Sequence, residues 1–159
     1  MAFNSANSDQ YSLPNPITSA NKNVAIEAWA FPTDTTSSGY VALNGDGTTG
    51  YGIYKAGNTW SFLEQFLSFN FAGPVVANQW VHLKLVLDLD GKLSGYVNDT
   101  LMVTQATPYP NIPVNLFMIG SAFNGNIDQV TVSVPEPAAA TGALLATGLA
   151  CMRTRMRRR

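Results

Sequence analysis

Cysteine occurs once in 159 residues, at Cys151. A disulfide framework, a cysteine-ligated zinc site and a Cys-His mechanism are therefore excluded from the body of the chain. Charge is sparse, with only 12% of residues being Asp, Glu, Lys or Arg. Arginine is missing from the first 152 residues, and residues 1–133 hold four lysines against nine acidic groups. A body of that sign lacks the basic patch that nucleic-acid binding needs. There is one histidine, His82. The chain also lacks βαβ alternation, a glycine-rich phosphate loop opening a helix, a sustained heptad and an internal repeat, which excludes the familiar nucleotide-binding scaffolds.

What remains is a chain with 46% apolar and 11% aromatic residues. Disordered chains are poor in aromatics and rich in charge, so this composition specifies a folded chain of about one domain. Short alternating runs separated by Gly, Asn, Asp and Pro clusters fill residues 1–134, the pattern of an all-β sandwich or barrel. The clearest strand is Trp80 to Leu89, with Val81, Leu83, Leu85, Leu87 and Leu89 on one face and His82, Lys84, Val86 and Asp88 on the other. Asp90-Gly91 supplies a tight turn, Lys92 to Val97 returns, Asn98-Asp99 turns again, and Thr100 to Gln105 forms the next strand. Val24 to Phe31 carries Glu27 as its only charge, which predicts a mid-sheet strand covered on both faces. Tyr51 to Tyr54, Thr59 to Phe69, Leu116 to Ile119 and Ile127 to Val134 complete the expected strands.

Five segments in order carry a resemblance: Val24 to Pro32, Tyr51 to Tyr54, Trp80 to Leu83, Gly91 through Asn98, and Phe123 to Val130. They resemble the successive signature segments of laminin-G-like jelly rolls of the concanavalin A-like lectin/glucanase superfamily, over most of residues 1–133. The resemblance implies an all-β fold of two antiparallel sheets packed face to face as a jelly-roll sandwich. It also implies a further strand before the segment matching Phe3 to Leu13. Met1 to Ser8 has neither the basic nor the apolar region of an export signal. Both gaps lead to the expectation that the natural product begins upstream of Met1.

Retaining glycosidases of that superfamily carry a Glu-x-Asp-x-x-Glu strand, which places two carboxylates at a working separation of about 5 Å. The triplet does not occur in this sequence. Asp88 and Asp90 share a strand face but run into the Asp90-Gly91 turn, so they read as a solvated hairpin. His82 lies on the polar face of its strand, and sequence supplies neither the nucleophile nor the orienting acid that a catalytic histidine needs. No catalytic residue is assigned. Jelly rolls of this kind often hold a structural calcium near the converging chain ends, built from six to eight oxygens. The resemblance places Asp128, Asn7 and Asp9 as its donors. It also implies binding of a carbohydrate or a protein partner, with exposed aromatics stacking on apolar sugar faces. The stretch Tyr51 to Trp60 and the loop at Tyr109 offer candidates; Trp29 and Trp80 are expected in the core, and Trp60 is open between core and surface.

Residues 134–159 have a different composition. Val134-Pro135-Glu136-Pro137 is followed by the uncharged run 138–152 and then by Arg153, Arg155, Arg157, Arg158 and Arg159, all five arginines of the chain. This order resembles a PEP-CTERM sorting signal: a Pro-Glu-Pro motif, a hydrophobic helix and a basic end. The fifteen-residue run spans about 22 Å as a helix at 1.5 Å per residue, less than the roughly 30 Å of a bilayer core. A basic end favours the cytoplasmic side. The resemblance thus implies a transient membrane anchor, read and removed by a membrane exosortase. The expected protein is an exported bacterial surface or matrix protein with a non-catalytic jelly roll, its partner an extracellular polysaccharide or surface protein, with no nucleic acid. The alternative is a glycan-active hydrolase or lyase of the same fold.

Overall fold

The computed structural model describes residues 1–15, 24–45, 49–64, 68–88, 90–106 and 116–133. The sorting-signal segment 134–159, with its expected helix, and the Tyr109 loop lie outside the described residues.

Among the described residues, twelve strands follow in chain order: β1 (Ala2–Phe3), β2 (Tyr11–Leu13), β3 (Val24–Pro32), β4 (Gly39–Gly45), β5 (Gly50–Ala56), β6 (Thr59–Glu64), β7 (Ser68–Pro74), β8 (Val81–Leu87), β9 (Lys92–Val97), β10 (Thr100–Ala106), β11 (Phe117–Ile119) and β12 (Gly125–Ser133). A 3-10 turn, Ser5–Asn7, lies between β1 and β2. The strands form two six-stranded antiparallel sheets. The first has the order β1-β12-β3-β8-β9-β10 and the second β2-β11-β4-β5-β6-β7. This is the two-sheet sandwich that the resemblance implied, one of the two architectures, sandwich or barrel, that the alternation left open.

Local chemistry explains most of the boundaries. In β8 the leucines and Val81 are buried while His82, Lys84 and Val86 are partly exposed. Asp88 closes the β8–β9 hairpin by accepting the Lys92 N–H at 2.8 Å, and Gly91 takes the positive φ of 76° that the turn requires. Asn98 and Asp99, at φ of 48° and 62°, turn β9 into β10 as the expected two-residue loop. The expected run Thr59 to Phe69 proves to be two antiparallel neighbours, β6 and β7. No Gly or Pro marks the break between them, so nothing in the local sequence separates them. Strand β4, unassigned in the sequence reading, pairs with β5 and β11 in the second sheet.

The core fills the space between the sheets. Ile26, Ala28, Leu83, Leu85 and Leu93 of the first sheet join Tyr51, Ile53, Trp60 and Phe62 of the second in one buried cluster. The sheets come close at Gly95, where an added Cβ would lie 2.2 Å from the Phe62 ring. Gly95 is thus a packing requirement on β9, since the facing aromatic ring occupies the place of a side chain. The variant Gly95→Ala is expected to lose about 1–3 kcal/mol of unfolding free energy through overpacking, measured by urea denaturation. An unchanged midpoint would show that Phe62 can move aside.

Candidate functional site

Strand β3 sits mid-sheet between β12 and β8, as the sequence implied, but its second face is open. Glu27 and Phe31 are partly exposed and Trp29 is 38% exposed, while Ala28 and Ala30 beside them are fully buried. The outward face of the first sheet therefore carries the rings that sequence reasoning placed in the core. Trp80, at the entry to β8, is 48% exposed. Strand parity held the signal: Trp80 shares the side of His82 and Lys84, and Trp29 shares the side of Glu27. Trp60, left open, is 1% exposed and belongs to the core.

Pairing places these side chains in cross-strand rows. Asp128, Trp29 and His82 form one row, since Asp128 pairs with Trp29 and Trp29 with His82. Asn126 pairs with Phe31, whose ring lies 5.4 Å from that of Trp80. Glu27, Lys84 and Tyr96 form a row on the other side of Trp29. The imidazole of His82 stacks on the Trp29 indole with centroids 5.1 Å apart and planes 26° from parallel. Its Nδ1 is 3.0 Å from Asp99 Oδ1, and its Nε2 is 3.6 Å from Glu27 Oε2. Lys84 Nζ reaches Glu27 Oε1 at 2.7 Å. Two aromatic pairs thus stand side by side on an open sheet face, edged by carboxylates and an amide.

Of the stretch Tyr51 to Trp60, only Tyr54 offers a partly exposed ring. Tyr51 is buried and its hydroxyl accepts a bond from Asn44 Nδ2 at 2.8 Å. Tyr54 packs on Tyr40 at 4.7 Å.

A second polar cluster lies where the chain's start meets the loops after β3 and β11. Lys55, fully buried, is 3.2 Å from Asp34 Oδ1 and donates to the Ser37 carbonyl at 2.5 Å. Asn124 donates to Asp34 Oδ2 at 2.9 Å and accepts the Ser5 N–H at 2.6 Å. An open hollow of about 370 Å³ lies beside it, lined in part by Asn4, Thr33, Asn124 and Asn126. Burial of Asp34 pushes its carboxyl up, but bonds from the Ser37 N–H, the Asn124 amide, the Thr36 N–H and the Ser37 hydroxyl outweigh it, so the group sits well below the ordinary 3.8.

The three expected calcium donors are not brought together. Asp9 Oδ2 accepts the Asn4 N–H at 3.1 Å, and the Asn7 N–H bonds the Asn4 carbonyl, so both belong to the first loop. Ala2 pairs with Asn126 and Phe3 with Gly125, which sets Asn4 level with Asn124. Asp128 lies four residues further along β12, about 13 Å away at roughly 3.3 Å per residue. Ligands of one calcium must all lie within about 2.6 Å of it. The register thus sets Asp128 apart from the loop that carries Asn7 and Asp9, and among the described residues no three His, Cys, Asp or Glu groups cluster. Asp88 and Asp90 occupy the hairpin, as expected, with Asp88 bonded to its own turn.

A family model described as the concanavalin A-like lectin/glucanases superfamily, Laminin_G_3, matches residues 5–135. The chain belongs to this superfamily. No curated protein sequence matches it. Among solved structures, domain 4 of AbnA, a GH43 extracellular arabinanase from Geobacillus stearothermophilus in complex with arabinotriose, superposes with a TM-score of 0.67 at 18% identity, over 82% of this chain and 68% of that one. The carbohydrate-binding module CBM66 from Bacillus subtilis aligns with a TM-score of 0.52 at 15% identity, over 77% of each chain. A putative carbohydrate binding protein from Bacteroides ovatus aligns at 0.62 and 14% identity, over 79% of this chain and 41% of its own. At these identities the likeness is one of fold, and this member of the superfamily shares the sandwich with all three.

Because Asp34 is favoured in its charged form by folding, its contribution is complete well above the ordinary aspartate value and is lost as pH falls below it. Asp34→Asn is expected to flatten the acid limb of the stability curve below about pH 4. Asp34→Ala, which leaves Lys55 buried without its carboxylate, is expected to cost about 3 kcal/mol. Equal acid sensitivity in wild type and Asp34→Asn would locate the titrating group elsewhere. Chelation with EDTA is expected to leave the melting temperature unchanged, checked by scanning calorimetry with and without added calcium. A rise on return of calcium would require a donor set other than Asp9, Asn7 and Asp128.

Proposed function

We propose that this chain is a non-catalytic carbohydrate-binding jelly roll working outside a bacterial cell. Segment 134–159 then acts as a PEP-CTERM signal read by an exosortase. The observation that carries the binding reading is the open face of the first sheet, where Trp29 with His82 and Phe31 with Trp80 form two adjacent aromatic pairs. The exposed parts of Trp29 and Trp80 present apolar aromatic area to which the C–H groups of a sugar ring can pack, and the rim of Glu27, Asp99 and Asn126 can bond its hydroxyls. The jelly-roll relatives that bind arabinotriose or bear carbohydrate-binding descriptions support the same reading.

A non-catalytic role is favoured by what surrounds His82. Both of its ring nitrogens face carboxylates, at 3.0 and 3.6 Å, whereas a nucleophilic triad needs a hydroxyl or thiol on one of them. The imidazole itself stands between Glu27 and Asp99, in the space where water or a sugar would have to react. The export reading rests on the order of Pro135-Glu136-Pro137, the uncharged run and the terminal arginines.

The test pairs a glycan array with a reducing-sugar assay on the full chain. Binding without release of reducing ends is expected. Turnover that disappears in Glu27→Gln or Asp99→Asn would overturn the non-catalytic reading in favour of a glycan-active enzyme. For sorting, mass spectrometry of fractions from a native host is expected to find the jelly roll outside the cell without its arginines. An intact polypeptide in the cytosol would overturn it.

A further inference from the structure

We infer that the aromatic face takes the interior of a neutral polysaccharide chain, laid along β3 and β8, and not a chain end or a single sugar. The inference rests on the carbohydrate-binding reading and specifies its ligand. Its first ground is spacing. Phe31 and Trp29 are two residues apart on β3, as are Trp80 and His82 across the β8 entry, so the two aromatic rows lie about 6.6 Å apart along the strands. The row of Glu27, Lys84 and Tyr96 continues the same face by a further step of that size. A repeat on that scale meets successive sugar units of one chain, and a single unit can occupy only one row.

The second ground is the shape of the surface. Trp29 and Trp80 are 38% and 48% exposed on the flat of a sheet, with exposed Gln79 and Thr33 beyond the Phe31–Trp80 row. At the other end the row of Ala25, Val86 and Ser94 carries only small side chains. On the Gln79 and Thr33 side no described residue walls off the rings, so a polymer can run past them there, whereas recognition of a chain end needs an enclosing pocket.

The third ground is charge. Glu27, Asp99 and Asp128 surround the rings, and the one lysine among them, Lys84, is held by Glu27 at 2.7 Å. Asp99 is 82% exposed at its side chain. Carboxylates in those positions accept hydroxyl hydrogen bonds from a neutral sugar and repel the uronate or sulfate groups of an anionic one.

Native affinity electrophoresis of the full chain tests this, with linear arabinan, mixed-linkage β-glucan and galactomannan as neutral probes and polygalacturonate and alginate as anionic ones. Retention is expected in at least one neutral gel and in neither anionic gel. Calorimetry with oligomers of the retained polymer is expected to show affinity rising about tenfold from one unit to three as the second row is engaged. Trp29→Ala and Trp80→Ala are each expected to weaken the trimer about tenfold with the melting temperature kept. Phe71→Ala, at an exposed aromatic of the second sheet, is expected to change nothing. Stronger retention by polygalacturonate, equal affinity for monomer and trimer, or full binding by both tryptophan variants would overturn the inference while leaving carbohydrate binding in place. Retention by none of the glycans in gel or array would overturn the binding reading itself, and this inference with it.

Discussion

A fully buried lysine holds the corner on which this sandwich is assembled. Lys55 rises from β5 into the interior, where its ammonium meets Asp34 and the Ser37 carbonyl. A charge in that setting is tolerated only with a partner of opposite sign and further hydrogen bonds, and the β3–β4 loop supplies both. Asp34 extends the chain of contacts to Asn124, and Asn124 to the backbone of Ser5. Four segments distant in sequence, from β5, the β3–β4 loop, the β11–β12 loop and the first loop, are thereby fixed relative to one another.

That corner has consequences for the open face. Strands β3 and β12 enter it at Pro32 and Gly125, and their pairing sets Phe31 beside Asn126 and Trp29 beside Asp128. Because side chains alternate with a period of two, a slip of one residue would send Trp29 and Phe31 into the core and bring Ala28 and Ala30 to the surface. The network does not touch a ring of the platform. It acts by holding the register that presents them.

The alternation of β8 and the Asp90-Gly91 and Asn98-Asp99 turns were legible because each is local: a face pattern or a turn residue declares it within ten residues. The β6–β7 boundary was not, because no Gly or Pro marks it. Trp29 and Trp80 lie in the segments that carry the resemblance, which together with the usual burial of large aromatics led to the core expectation, although their parity with Glu27 and His82 pointed outward. The calcium donors illustrate a further limit. Asn7, Asp9 and Asp128 are the right residue types near the chain ends, but the β1–β12 register sets Asp128 far from the loop that carries the other two.

The sequence by itself determined the fold class, the strand faces and the separate character of the last 26 residues, because composition and periodicity report which surfaces a chain must bury. Only the tertiary structure decided that Trp29 meets His82, that Phe31 meets Trp80, and that Lys55 finds Asp34. Those are contacts between strands and loops far apart in the chain. Their partners are chosen by sheet order and register, and no local pattern encodes either.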